Sequence, residues 1–146
     1  MNINRATAKD STALAPLFDA YRQFYQQASD LTGAENYLNE RLSTEESVIF
    51  YVREDDQILG FTQLYPVFSS ISMKRAWVLN DLYVNKSARK KGVGELLLQR
   101  VKEFGLETGA ASISLSTAPD NVNAQRLYER NGYQRDETFW HYDLSL

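Results

Sequence analysis

The sequence predicts an α/β domain with a mixed, mostly antiparallel sheet flanked by helices. Apolar residues recur at three- and four-residue spacing in several stretches, the mark of amphipathic helices. Between them lie short runs of β-branched and aromatic residues bounded by turn formers, the mark of strands. These segments follow the order β-α-α-β-β-β-α-β-α-β(-β). An antiparallel meander therefore precedes a strand–helix–strand crossover, which demands a parallel pair.

Asn2 to Arg5 alternates and opens the sheet. Asp10-Ser11-Thr12 is a helix start, and Leu14, Leu17, Phe18, Tyr21, Phe24 and Tyr25 follow at helical spacing. Gly33 breaks the chain before a short helix marked by Tyr37, Leu38 and Leu42. Val48 to Val52 is a strand, and the polar turn Glu54 to Gln57 leads into a second strand over Ile58 to Tyr65. Pro66 and Ser69-Ser70 interrupt before the strand Ala76 to Val84. Val93, Leu96, Leu97, Val101 and Phe104 stripe a helix that ends near Gly105 to Gly109. Ile113 to Ser116 is a short strand, and Asp120 caps a helix running to about Arg130, where Asn131-Gly132 stops it. Alternation over Phe139 to Leu144 predicts a closing strand.

The 146 residues suit one domain spanning 1–146. At that length about two-thirds of the unfolded surface can be buried, enough for a self-supporting core. Cysteine is absent and His141 is the only histidine. Disulfide frameworks, thiolate nucleophiles, Cys-based metal sites and Ser/His/Asp triads have nothing to build on, so no metal is expected. The formal net charge of -3 argues against nucleic acid as the main partner. Residues 1–10 lack the apolar run of a signal peptide, and no stretch reaches the ~20 apolar residues of a membrane span. A cytoplasmic protein without membrane partners is the expectation.

The sharpest local signal is Arg89-Lys90-Lys91-Gly92-Val93-Gly94, directly after a strand and opening a helix. Glycines let backbone N–H groups approach a ligand, and the helix aims its unpaired amides and positive dipole end at the same place. Lys86 adds to the basic cluster. Such a cradle suits a pyrophosphate; read alone, it is equally a solvated basic turn. Neither a P-loop nor a Rossmann fingerprint is present, and a meander rather than a βαβ unit precedes the loop.

The strand Trp77 to Val84 followed by Arg89-x-x-Gly92-x-Gly94 resembles the acetyl-CoA signature of the GNAT superfamily of acetyltransferases. A second block, Asn123-Ala124-Gln125-Arg126-Leu127-Tyr128 and on to Gly132-Tyr133, is similar to that superfamily's late motif, slightly compressed. The element order agrees along the whole chain. Phe61 to Pro66 and Leu79 to Leu82 look like the Hpa-type subgroup, which includes histone, polyamine and D-amino-acid N-acetyltransferases.

This resemblance implies transfer of an acetyl group from acetyl-CoA to an amine of a small molecule or an exposed peptide. Backbone groups of Leu82, Tyr83 and Val84 would hold the pantetheine arm. The amides of Arg89, Lys90, Lys91, Gly92, Val93 and Gly94 would hold the pyrophosphate. Asn123 would bond the pantetheine or the region near the thioester, and Tyr128 would stand by the sulfur to donate a proton or a hydrogen bond. The Leu82 N–H would stabilise the carbonyl oxygen. Some relatives place a glutamate base where this chain has Asn80, which cannot serve. Asp81 projects to the opposite face of a regular strand unless a bulge re-aims it, so the base is Asp81 or ordered water. Aromatic candidates for the acceptor pocket are Phe24, Tyr25, Tyr65, Phe68 and Trp77. Homodimerisation is a further expectation of the resemblance, with Phe139 to Leu146 a pairing edge. Two other readings remain at this point: an acyl-CoA-binding module without turnover, and a nucleic-acid-binding domain using the lysine cluster.

Overall fold

Val48 to Val52 suits an interior strand because residues on both its faces are apolar and buried. The computed structural model describes residues 1–146. Contacts divide them into two units, Met1–Ser116 and Thr117–Leu146. The first holds five strands in sequential order: β1 (Asn2–Arg5), β2 (Val48–Glu54), β3 (Gln57–Ser69), β4 (Lys74–Val84) and β5 (Ile113–Ser114). All neighbours are antiparallel except β4 and β5, as the crossover requires.

Helices cover both faces. Ser11 begins α1 (Ser11–Phe24), and Asp30 caps α2 (Leu31–Ser43) by accepting from the Gly33 N–H. Leu14, Phe18 and Leu38 from these helices are buried with Ile49, Tyr51 and Phe61 of the sheet. On the other face lies α3 (Val93–Glu107), with Leu97, Val101 and Phe104 buried. The Phe104 ring meets Trp77 at 4.9 Å and Phe50 at 5.4 Å between centroids. Trp77 also donates from Nε1 to the Thr108 hydroxyl at 3.0 Å, satisfying its one polar atom.

Some boundaries differ from expectation. Pro66 does not interrupt β3, because it sits in the ladder opposite Trp77 and the hairpin continues to Ser69 opposite Lys74. Lys74 and Arg75 are thus strand residues, and Arg75 lies over the Phe68 and Trp77 rings. No helix is long and apolar enough to cross a membrane.

The second unit carries α4 (Val122–Arg130). Its cap is Asn121, which accepts from the Ala124 N–H at 3.3 Å, one residue later than the expected Asp120. Gly132, at φ 93°, ends the helix as expected, and the Tyr133 N–H returns to the Tyr128 carbonyl at 3.0 Å. The closing strand expected over Phe139 to Leu144 is not formed. Asp136 accepts from the N–H groups of Thr138 and Phe139 at 2.9 and 3.0 Å. That local turn satisfies both amides without a ladder, and the side chains after it are exposed. The fold class and the order of elements through α4 agree with the sequence.

Candidate active site

One irregularity organises the first unit's site. From Ser69↔Lys74 to Leu64↔Leu79 the β3–β4 ladder is regular; the next pair is Gln63↔Asp81. Asn80 is the extra residue of a β-bulge. In a regular strand Asp81 would share the α3 face with Trp77 and Leu79. The bulge moves it to the α1 face, in line with Gln63 and Tyr83. The Thr62 hydroxyl, buried beside it, donates to the Asp81 carbonyl at 2.9 Å and fastens the irregular backbone.

Asp81 thereby reaches a cavity of about 460 Å³. Phe18, Tyr21, Tyr25, Tyr37 and Tyr65 give it aromatic walls, and Asn80 and Asp81 lie together at its β4 side. The volume is that of a small-molecule site. Asp81 is only 5% exposed. Its carboxylate accepts from Gln63 Nε2 at 2.8 Å, from Asn80 Nδ2 at 3.1 Å and from the Tyr21 hydroxyl. Burial nevertheless pushes its carboxyl above the usual carboxylate range, because loss of water penalises the charge more than three neutral donors restore. The Tyr37 and Tyr65 hydroxyls meet at 2.7 Å, and burial raises Tyr65 further from ionisation.

Two of the five expected aromatic candidates, Tyr25 and Tyr65, line this cavity. Trp77 packs on the α3 face, while Phe24 and Phe68 are exposed elsewhere. The sequence reading missed Phe18, Tyr21 and Tyr37 as wall residues. Phe18 and Tyr21 share a helix face with Tyr25 by their spacing, three and four residues apart, while Tyr37 on α2 carries no such link to them in the sequence.

Leu82, Tyr83 and Val84 follow the bulge. β5 pairs only with Trp77 and Val78, so β4 runs on beyond its neighbour with one edge open. Arg89 then folds back, donating from Nε to the Val84 carbonyl at 3.2 Å with its guanidinium over the Tyr83 ring. Lys90 and Gly92 take left-handed backbone angles, φ 64° and 81°, which turn the chain into α3. The Leu96 N–H bonds the Gly92 carbonyl, so the amides of Val93 and Gly94 precede the first helical bond. A Cβ built on Gly92 meets nothing within 4 Å, so this glycine is required for its backbone angle rather than for clearance from protein atoms. An open strand edge followed by outward helix amides and basic side chains fits the donor needs of an acyl-CoA pantetheine and pyrophosphate.

In the second unit Asn123 stands in the first turn of α4 and Tyr128 in its last turns. The Tyr128 and Tyr133 rings pack edge to face at 6.0 Å, and burial pushes the Tyr133 phenol up to about 12. His141 is exposed, 3.4 Å from Asp136.

A family model described as the acetyltransferase (GNAT) family matches residues 14–133. An uncharacterized N-acetyltransferase of Bacillus subtilis, YhfO, is 51% identical over 146 residues, covering all of this chain and 98% of that protein. The D-amino-acid N-acetyltransferase HPA3 of Saccharomyces cerevisiae is 31% identical over 87 residues, 60% of this chain and 54% of that one. A crystal structure of a probable acetyltransferase superposes with a TM-score of 0.96 at 44% identity, covering 100% of this chain and 98% of the other. With the open β4 edge and the helix-opening glycine turn, these matches identify the chain as an acetyl-CoA-dependent N-acetyltransferase of the GNAT family.

Proposed function

We propose that the chain acetylates the primary amine of a small molecule bound in the aromatic cavity, with Asp81 as general base. The observation that carries this reading is the Asn80 bulge, which turns one buried carboxylate into an aromatic pocket immediately before the open edge at Leu82. A free amine with a pKa of ~10 arrives mostly protonated and must lose a proton before attack. Asp81, titrating above the usual carboxylate range, is better matched to take that proton than an ordinary aspartate.

Acetyl-CoA, when bound, supplies an activated acyl carbon. Leu82, Tyr83 and Val84 would hold its pantetheine arm, and the amides from Arg89 to Gly94 its pyrophosphate. In the transfer the amine nitrogen bonds to the acyl carbon and the carbon–sulfur bond breaks. Asp81 accepts the ammonium proton, and the Leu82 N–H donates to the carbonyl oxygen as charge builds there. Asn123 and Tyr128 are assigned by their places in the second motif. Tyr128 would donate its proton to the departing thiolate, lowering the barrier as charge develops on sulfur, and would regain one as the amide nitrogen sheds its second proton to water. Homodimerisation belongs to the same reading, supported by the exposed Phe139, Trp140, Tyr142 and Leu144 after α4.

Free thiol release over a panel of amines tests the reading. Turnover with small amines that falls about 10²–10⁴-fold in Asp81→Asn is expected. Turnover confined to protein substrates, or indifferent to Asp81, would contradict it.

A further inference from the structure

We infer that Gly60 of β3 is a positioning residue for the cofactor. Its missing side chain lets Val93 seat on the sheet, and that seat aims the first amides of α3 at the pyrophosphate. This rests on the cofactor reading above and adds a residue that lies outside both motifs. A Cβ built on Gly60 lies 2.9 Å from Cγ1 of Val93 and 3.0 Å from the Tyr83 carbonyl oxygen. Val93 is 1% exposed, so its β-branched side chain has no room to turn away.

Nothing else at this position calls for glycine. Its φ is not left-handed, and a glycine inside a strand loosens it. The β2–β3 ladder is irregular next to it, with Leu59 the extra residue between Val52↔Gly60 and Arg53↔Ile58, yet Gly60 itself stays paired. An alanine would stabilise the strand if Val93 stood further off. Close approach is what the glycine provides.

The contact bears directly on the cradle. Val93 is the first residue of α3, and its own N–H is one of the amides that precede the first helical bond. The side chain resting on Gly60 therefore fixes the direction of that N–H. The other flank of the glycine turn is tied to the same rung of the sheet. Arg89 donates to the carbonyl of Val84, and Val84 is the partner of Gly60 across the β3–β4 ladder. One methyl group on Gly60 would push Val93 outward while Arg89 still held Val84, and so re-aim the amides between them.

The test measures calorimetric affinity for CoA, well below each melting temperature so that only folded protein binds, beside steady-state kinetics with acetyl-CoA. Gly60→Ala should weaken CoA about tenfold or more, and the loss should lie in KM for acetyl-CoA rather than in kcat. Removing Cγ1 should relieve the clash. Gly60→Ala combined with Val93→Ala should bind CoA within about threefold of Val93→Ala alone. Where Gly60→Ala does not fold, Val93→Ile crowds the same contact from the helix side and should weaken CoA alike. Parental CoA affinity in the crowded variant, no recovery in the double variant, or a loss confined to kcat would overturn the inference. Each of those leaves the acetyltransferase reading standing, whereas a parent that binds no CoA would remove both.

Discussion

Gln63 donates from Nε2 to Asp81 Oδ2 across 2.8 Å, with both side chains buried and paired directly across β3 and β4. Gln63 Oε1 has no partner in this setting, so the amide's orientation is fixed by the carboxylate alone. This donor lowers the cost of ionising Asp81, acting against the burial that raises it.

Gln63→Leu should therefore move the acid limb of the kcat/KM profile to higher pH. Without the N–H donor Asp81 holds its proton longer, and activity lost at pH 6 should be largely regained by pH 9. A role in packing alone would lower activity equally at every pH and leave the limb in place.

Asp81→Asn should separate stability from catalysis. Asp81 titrates higher in the folded protein than in the unfolded chain, where an aspartate titrates near ~3.9. Between those values the folded state keeps a proton that the unfolded state has released. Its stabilising effect is complete below the unfolded value and is lost as pH rises through the folded one. An asparagine carries no such loss, and a turned Gln63 amide can accept from it through the orphaned Oε1. Melting temperature at pH 8 should rise in the variant while kcat falls about 10²–10⁴-fold. A fall in melting temperature at pH 8 would show that the charge is compensated in the fold.

Gly92 is held at φ 81° in open space. Gly92→Ala should cost about 1–2 kcal/mol through the left-handed backbone alone. A backbone that relaxes to avoid this angle re-aims the amides of Val93 and Gly94, so calorimetric affinity for CoA should weaken as well. Parental affinity in a destabilised variant would place the pyrophosphate elsewhere.

Much of this was legible beforehand. The glycine turn after a strand was legible because a left-handed φ favours glycine there, and the Asn123 to Tyr133 block was legible through its resemblance to the late motif of the GNAT superfamily. Asp81 was legible as a candidate but not as a pocket residue, since a single inserted residue reverses its face and alternation cannot reveal that. The spacing of Phe18, Tyr21 and Tyr25 places them on one helix face, but core and cavity aromatics share that period, so neither they nor Tyr37 of α2 could be told apart from core by the spacing. The strand expected over Phe139 to Leu144 failed for a related reason: period two describes which residues could pair, but a strand exists only where a ladder partner accepts its amides.

Tyr128→Phe keeps the ring and its edge-to-face contact with Tyr133. A group that protonates the leaving thiolate acts most in the transition state, so kcat should fall at least about tenfold while acetyl-CoA affinity changes by no more than about threefold. Calorimetric binding beside steady-state kinetics checks both halves. Unchanged kcat would take Tyr128 out of the proton transfer, and lost binding would make it a packing residue.

The central claim, an amine acetylated in the aromatic cavity with Asp81 as base, meets its most direct test in one comparison. Free thiol release from acetyl-CoA is followed with a panel of small amines, for the parent and for Asp81→Asn, alongside calorimetric binding of acetyl-CoA to both. The account predicts amine-dependent release by the parent, about 10²–10⁴-fold less by the variant, and near-equal acetyl-CoA binding by the two. Tight acetyl-CoA binding by the parent with no amine raising release above hydrolysis would contradict it and leave an acyl-CoA-binding protein in its place.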